Sequence, residues 1–84
     1  MIQLLYFAWV RERIGSDGET IALPAGVATV GALVDWLAAR PGGYAAALAD
    51  RSALRVAVDQ AFASAATPVR DGAEVAIFPP VTGG

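Results

Sequence analysis

From Ile2 to Val10 the apolar side chains are almost continuous, broken only by Gln3. At a period of two, Ile2, Leu4, Tyr6, Ala8 and Val10 fall on one side and Gln3, Leu5, Phe7 and Trp9 on the other. This predicts a strand over 2–10 with two largely apolar faces. Arg11 to Gly18 is polar and ends in turn residues, so it reads as a connection. Glu19 to Leu23 returns as a second strand with Ile21 and Leu23 inward, stopped by Pro24-Ala25-Gly26, and a hairpin is the economical pairing. The period then changes. Behind Thr29, a suitable N-cap, Val30, Leu33, Val34, Leu37 and Ala38 recur at the spacing of one buried helical face. Arg40 is expected in the last turn, where a cation suits the helix dipole, and Pro41 with Gly42-Gly43 ends the helix. Trp36 flanks the stripe and reads as a packing residue. Tyr44 to Leu48 predicts a short second helix. Leu54 to Val58 alternates again, and Asp59-Gln60 forms a tight turn into Ala61-Phe62-Ala63. After the loop Ser64 to Pro68, Asp71-Gly72 turns the chain into a last strand, Glu74 to Phe78. In it Val75 and Ile77 share one face, Ala76 and Phe78 the other.

Strand, strand, helix and then short strands allow the first and last strands to lie side by side in the middle of a mixed sheet, with the helix over one face. That is an α+β chain of β-grasp, or ubiquitin-like, architecture. Its 84 residues suffice for one domain, 1–84, with 79–84 as an extended tail. The face away from the helix is then expected to carry Leu5, Phe7, Trp9 and Phe78. An apolar cluster in that position is a partner surface unless a loop folds over it.

Composition narrows the chemistry. The net charge of −2 argues against a nucleic-acid binder, which needs a basic footprint. With neither cysteine nor histidine, the chain has no disulfide, no thiolate nucleophile, no zinc site of the usual kind and no histidine acid–base catalysis. No metal site is expected. Lysine is absent too, so all six basic residues are arginines, and an activated C-terminus would meet no side-chain amine of its own chain. The opening apolar run lacks a basic leader and is too short to span a bilayer. The expectation is a cytoplasmic protein without membrane contact.

The chain closes on Phe78-Pro79-Pro80-Val81-Thr82-Gly83-Gly84. The prolines fix φ and stiffen the exit from the last strand. Val81 and Thr82 favour extended backbone. Gly83 and Gly84 have no Cβ and fit a channel too narrow for other residues. The Gly84 α-carboxylate, with an ordinary pKa of about 3.3–3.7, is ionised at neutral pH. A slim anionic arm on a stiff base is a group that another protein can reach and modify.

Over essentially its whole length the sequence resembles the small subunits of molybdopterin synthase, a family of β-grasp sulfur carriers. The resemblance rests on Phe7-Ala8 with Val10-Arg11-Glu12, on Thr29-Val30 with Ala32-Leu33, and on Ala57-Val58 with Gln60. It continues in Asp71-Gly72 with Glu74-Val75-Ala76 and is most specific in Phe78 to Gly84. It implies that a ubiquitin-activating-enzyme-like adenylyltransferase uses ATP to convert the Gly84 carboxylate to an acyl-adenylate. Sulfur from a persulfide then replaces AMP and leaves a thiocarboxylate. It implies further that the tail, with Gly83 and Gly84 at its tip, enters the large synthase subunit and delivers sulfur to cyclic pyranopterin monophosphate. Two carriers serve each pterin, in a heterotetramer. Phe7, Arg11, Phe78, Pro79, Pro80, Val81 and Thr82 are the implied partner-binding residues. The chain itself is expected to bind no cofactor and to be no enzyme, the substrate-binding catalytic residues lying on the large subunit. Two other readings use the same features. A ubiquitin-like modifier, or a carrier for another pathway such as thiamine synthesis, shares the Gly-Gly end. A plain interaction module would keep its function without Gly83 and Gly84.

Overall fold

The computed structural model describes residues 1–80. The chain runs β1 (Ile2–Tyr6), α1 (Ala8–Ile14), β2 (Gly18–Ile21), α2 (Val30–Ala38), α3 (Tyr44–Ala47), a 3-10 turn at Arg51–Ala53, β3 (Arg55–Val58), β4 (Ala61–Ala63) and β5 (Glu74–Phe78). The five strands form one mixed sheet in the order β2-β1-β5-β3-β4. β1 and β5, the first and last strands, are parallel neighbours at its centre, with Leu4 opposite Val75 and Tyr6 opposite Ile77. β1 also pairs antiparallel with β2, and β5 with β3. This is the expected β-grasp arrangement.

Alternation decides what each strand buries. Ile2, Leu4 and Tyr6 of β1, Val56 of β3, and Val75 and Ile77 of β5 point to the helix side and are buried. α2 answers with Val30, Leu33, Val34 and Leu37, the stripe read from its periodicity. Each such side chain contributes about 1.5–3 kcal/mol when fully buried. Val10, Ala47 and Leu48 close the end of this core. The start of α2 is capped as its sequence suggests. Thr29 Oγ1 accepts from the Ala32 amide at 3.2 Å. The Val30 and Gly31 amides donate to the carbonyls of Thr67 and Ala65, both at 2.9 Å, so its first amides are satisfied.

The opening strand is shorter than its alternation predicts. It ends at Tyr6, and Ala8, at φ 53°, turns the chain into α1. Positive φ costs an alanine about 1–2 kcal/mol. The contacts of α1 offset that cost: the Arg11 amide donates to Phe7 O at 3.3 Å, Val10 becomes fully buried, and Gly15 at φ 87° caps the helix. Arg11 to Ile14 is therefore helix and not a polar connection. Arg40 lies beyond the last turn of α2, and its guanidinium reaches β2: Nη1 donates to Glu19 Oε1 at 2.9 Å. Asp59 and Gln60 both have positive φ, 49° and 71°, as a two-residue hairpin between Val58 and Ala61 requires.

Candidate functional site

The face away from α2 is built from the other half of each strand. Register aligns Leu5, Ala76, Ala57 and Phe62 across β1, β5, β3 and β4 as one rung. Small side chains in the middle and larger ones at the ends make a shallow apolar trough. On the next rung Arg55 stands opposite Phe78. The Phe62 and Phe78 rings are 6.2 Å apart and tilted by 47°, within the range of favourable aromatic pairs. Phe62 is 83 % exposed and Phe7 47 %. No loop covers this face among the described residues. A groove of about 340 Å³ between Arg55, Phe62, Phe78 and Pro80 leads from it to the start of the tail. A second, of about 480 Å³, runs along β1 past Leu5, Phe7 and Arg11.

The two grooves lie on either side of β5, the strand that becomes the tail. Phe7 extends the central pairing by donating its amide to Ile77 O at 3.2 Å. The tail root is thus anchored in the middle of the sheet, paired on both sides. Pro79 is half-buried and Pro80 exposed. Val81, Thr82, Gly83 and Gly84 lie outside the described residues.

Of the residues expected on the open face, Leu5, Phe7 and Phe78 are there. Trp9 is not. It sits on α1, partly buried against the core, with the Arg13 guanidinium 4.5 Å above its ring. Arg11 is exposed on the same helix and lines the groove beside Phe7. Two members of the face carry no assignment from the sequence. Phe62 is the most exposed large apolar side chain of the described residues. Arg55 was hidden inside an alternating run. The signal for both was present: a two-residue turn at Asp59-Gln60 fixes the β3–β4 register and with it their facing.

The titratable groups with displaced pKa values lie elsewhere. Glu19 is on the helix side, where its carboxylate accepts from Tyr6 Oη at 2.9 Å, from Tyr44 Oη and from Arg40. Burial works against its ionised form, but the hydrogen bonds from Tyr44, Arg40 and Tyr6 outweigh it and hold the carboxyl below its ordinary value. Burial, then the bond to Glu19, pushes the Tyr6 and Tyr44 hydroxyls up. These groups pin β2 to the α2–α3 corner. Among the described residues no cluster of acidic side chains could hold a metal, and no helix is long and apolar enough to cross a membrane. The open face offers apolar contact, with Arg55 and Arg11 lining its two grooves.

The ThiS family model matches residues 4–84. The molybdopterin synthase sulfur carrier subunit of Escherichia coli is 48 % identical over 84 residues, all of both chains. That of Haemophilus influenzae is 40 % identical over the same full length. Among solved structures, SAMP1 from Haloferax volcanii superposes with a TM-score of 0.73 at 29 % identity, covering 99 % of this chain and 98 % of that one.

Proposed function

The chain belongs to the ThiS family, and we propose that it is the sulfur-carrier subunit of a molybdopterin synthase. The observation that carries this is the identity with sulfur carrier subunits, 48 % over the whole of both chains. The geometry supports it. A carrier must present its terminus and must not consume it. β5 is the central strand, its exit is stiffened by Pro79-Pro80, and the four residues Val81-Thr82-Gly83-Gly84 remain to reach into another protein.

The Gly84 carboxylate is a poor electrophile. Adenylation by a partner that uses ATP supplies a leaving group, and displacement of AMP by sulfur leaves a thiocarboxylate. Sulfur thus rides on the main chain, which explains how a protein without cysteine can carry it. The large subunit then receives the tail, binds cyclic pyranopterin monophosphate and supplies the catalytic side chains. Gly83 and Gly84 give the narrow tip, while Phe7, Arg11, Phe78, Pro79, Pro80, Val81 and Thr82 make the contacts that hold it. The chain binds no cofactor of its own, and its work is cytoplasmic.

The test is intact mass. Incubation with a cognate adenylyltransferase, ATP and a persulfide donor should exchange one oxygen for one sulfur, and C-terminal fragmentation should place the gain on Gly84. A chain with one residue added after Gly84 should stay folded and gain nothing. If the extended chain is sulfurated equally well, or if the native terminus is recovered only in isopeptide adducts, the carrier reading is lost.

A further inference from the structure

Arg55 is the first residue of β3 and stands directly opposite Phe78. Its neighbour Val56 is buried, so alternation turns Arg55 onto the open face. There it lines the groove at the tail root together with Phe62, Phe78 and Pro80. Its Nη1 donates to the carbonyls of Leu54 at 2.8 Å and Ser52 at 3.3 Å. These bonds hold the guanidinium in place without neutralising it. The ion pairs among the described residues join Met1 to Asp71, Arg40 to Glu19 and Arg51 to Asp35. None of them uses Arg55.

A positioned cation beside two accessible aromatic rings constrains whatever docks there. A partner that covers Phe62 and Phe78 strips water from the guanidinium as well. A desolvated cation without a counter-charge is strongly unfavourable. The fork of a guanidinium matches a carboxylate in two parallel hydrogen bonds. We infer that Arg55 pairs with a carboxylate of the large subunit at the mouth of the channel that takes the tail, and that this pair helps select which large subunit the carrier accepts. The inference rests on the docking role of the open face. Because Arg55 sits opposite the last residue before Pro79, the pair also fixes the direction in which the tail enters.

The experiment measures association of the whole carrier with its cognate large subunit at low and high salt. Arg55→Leu should weaken the complex about tenfold at low salt. It should flatten the salt dependence and leave the melting temperature of the carrier unchanged. Arg55→Glu should weaken it further, and a single Asp-to-Lys or Glu-to-Lys change at the channel mouth of the large subunit should restore that variant. Phe78→Ala separates the two claims. If Phe78→Ala weakens the complex while Arg55→Leu binds as tightly as the native chain, the ion pair is overturned and the docking face stands. If neither matters, both fall. If Arg55→Leu slows only adenylation by the activating enzyme, the carboxylate belongs to that enzyme and the assignment to the large subunit is wrong.

Discussion

Glu19 shows how one side chain holds three segments together. It lies on the edge strand β2, yet accepts hydrogen bonds from Tyr6 of β1, Tyr44 of α3 and Arg40 beyond α2. Arg40 itself rests over the rings of Trp36 and Tyr44, at 5.2 and 4.6 Å. Because folding lowers the Glu19 pKa, its contribution is complete above the ordinary carboxyl value of about 4.5 and is lost as pH falls through the lower, folded value. Asp50 and Asp71 are also held below their ordinary range, by the Ser52 side chain and by the N-terminal ammonium respectively. The native chain alone therefore cannot isolate Glu19, and a variant must. Glu19→Gln keeps the shape but removes the charge facing Arg40. It should cost about 2 kcal/mol at neutral pH and lose less stability than the native chain on acidification below about pH 4.5. Melting curves taken from pH 7 to pH 3 on both proteins decide it. Parallel curves would mean that the cluster contributes no pH dependence.

At the level of elements, sequence pattern and structure agree where the period is unambiguous. β5 begins and ends at Glu74 and Phe78 as its alternation indicates, and the buried face of α2 is the stripe that repeats at helical spacing. They part at Phe7-Ala8-Trp9-Val10, where every residue is apolar. A uniformly apolar run satisfies the strand and helix periods alike. The break is made by positive φ at Ala8, a residue type that gives no warning of it. α1, with seven residues, is too short to show its own period. A contact between α1 and α3 was equally hidden. A Cβ on Gly43 would lie 1.7 Å from Arg13 O and 3.3 Å from Ile14 Cα, whereas one on Gly42 would meet nothing within 4 Å. Gly43 has φ −78°, so its need is room and not conformation. Gly43→Ala should therefore force α1 and α3 apart and cost about 2–3 kcal/mol. For a domain of this size that is roughly 10 °C or more in Tm. Gly42→Ala, at φ 94°, carries only a backbone penalty of about 1 kcal/mol. Equal losses for the two would remove the close approach as the cause.

The whole molecule divides its sheet between a sealed face and an open one. One face is sealed by α1, α2 and α3 and holds every large side chain of the core. The other is left to Leu5, Phe7, Arg55, Phe62 and Phe78, around the strand that leads to the tail. Much of this division was legible, because alternation in β1 and β5 separates Leu4 from Leu5 and Ile77 from Phe78. What the pattern could not supply was lateral order. Phe62 joins Phe78 only through β3, and no local spacing relates positions 62 and 78. The division predicts that the two faces respond differently to truncation. Leu37→Ala, on the sealed side, should cost about 2–5 kcal/mol of stability and leave affinity per folded molecule intact. Phe78→Ala should do the reverse, weakening the complex with the large subunit by about 2 kcal/mol or more with a small change in Tm. Phe62→Ala, at a more exposed site, should weaken it by about 1–2 kcal/mol. The Phe78 and Phe62 rings touch, so truncating both should cost less than the sum of the single losses. Thermal melts and titration calorimetry on the four variants measure both responses. Should Phe78→Ala lower Tm as far as Leu37→Ala and leave binding untouched, Phe78 is core, and the open face is not where the large subunit sits.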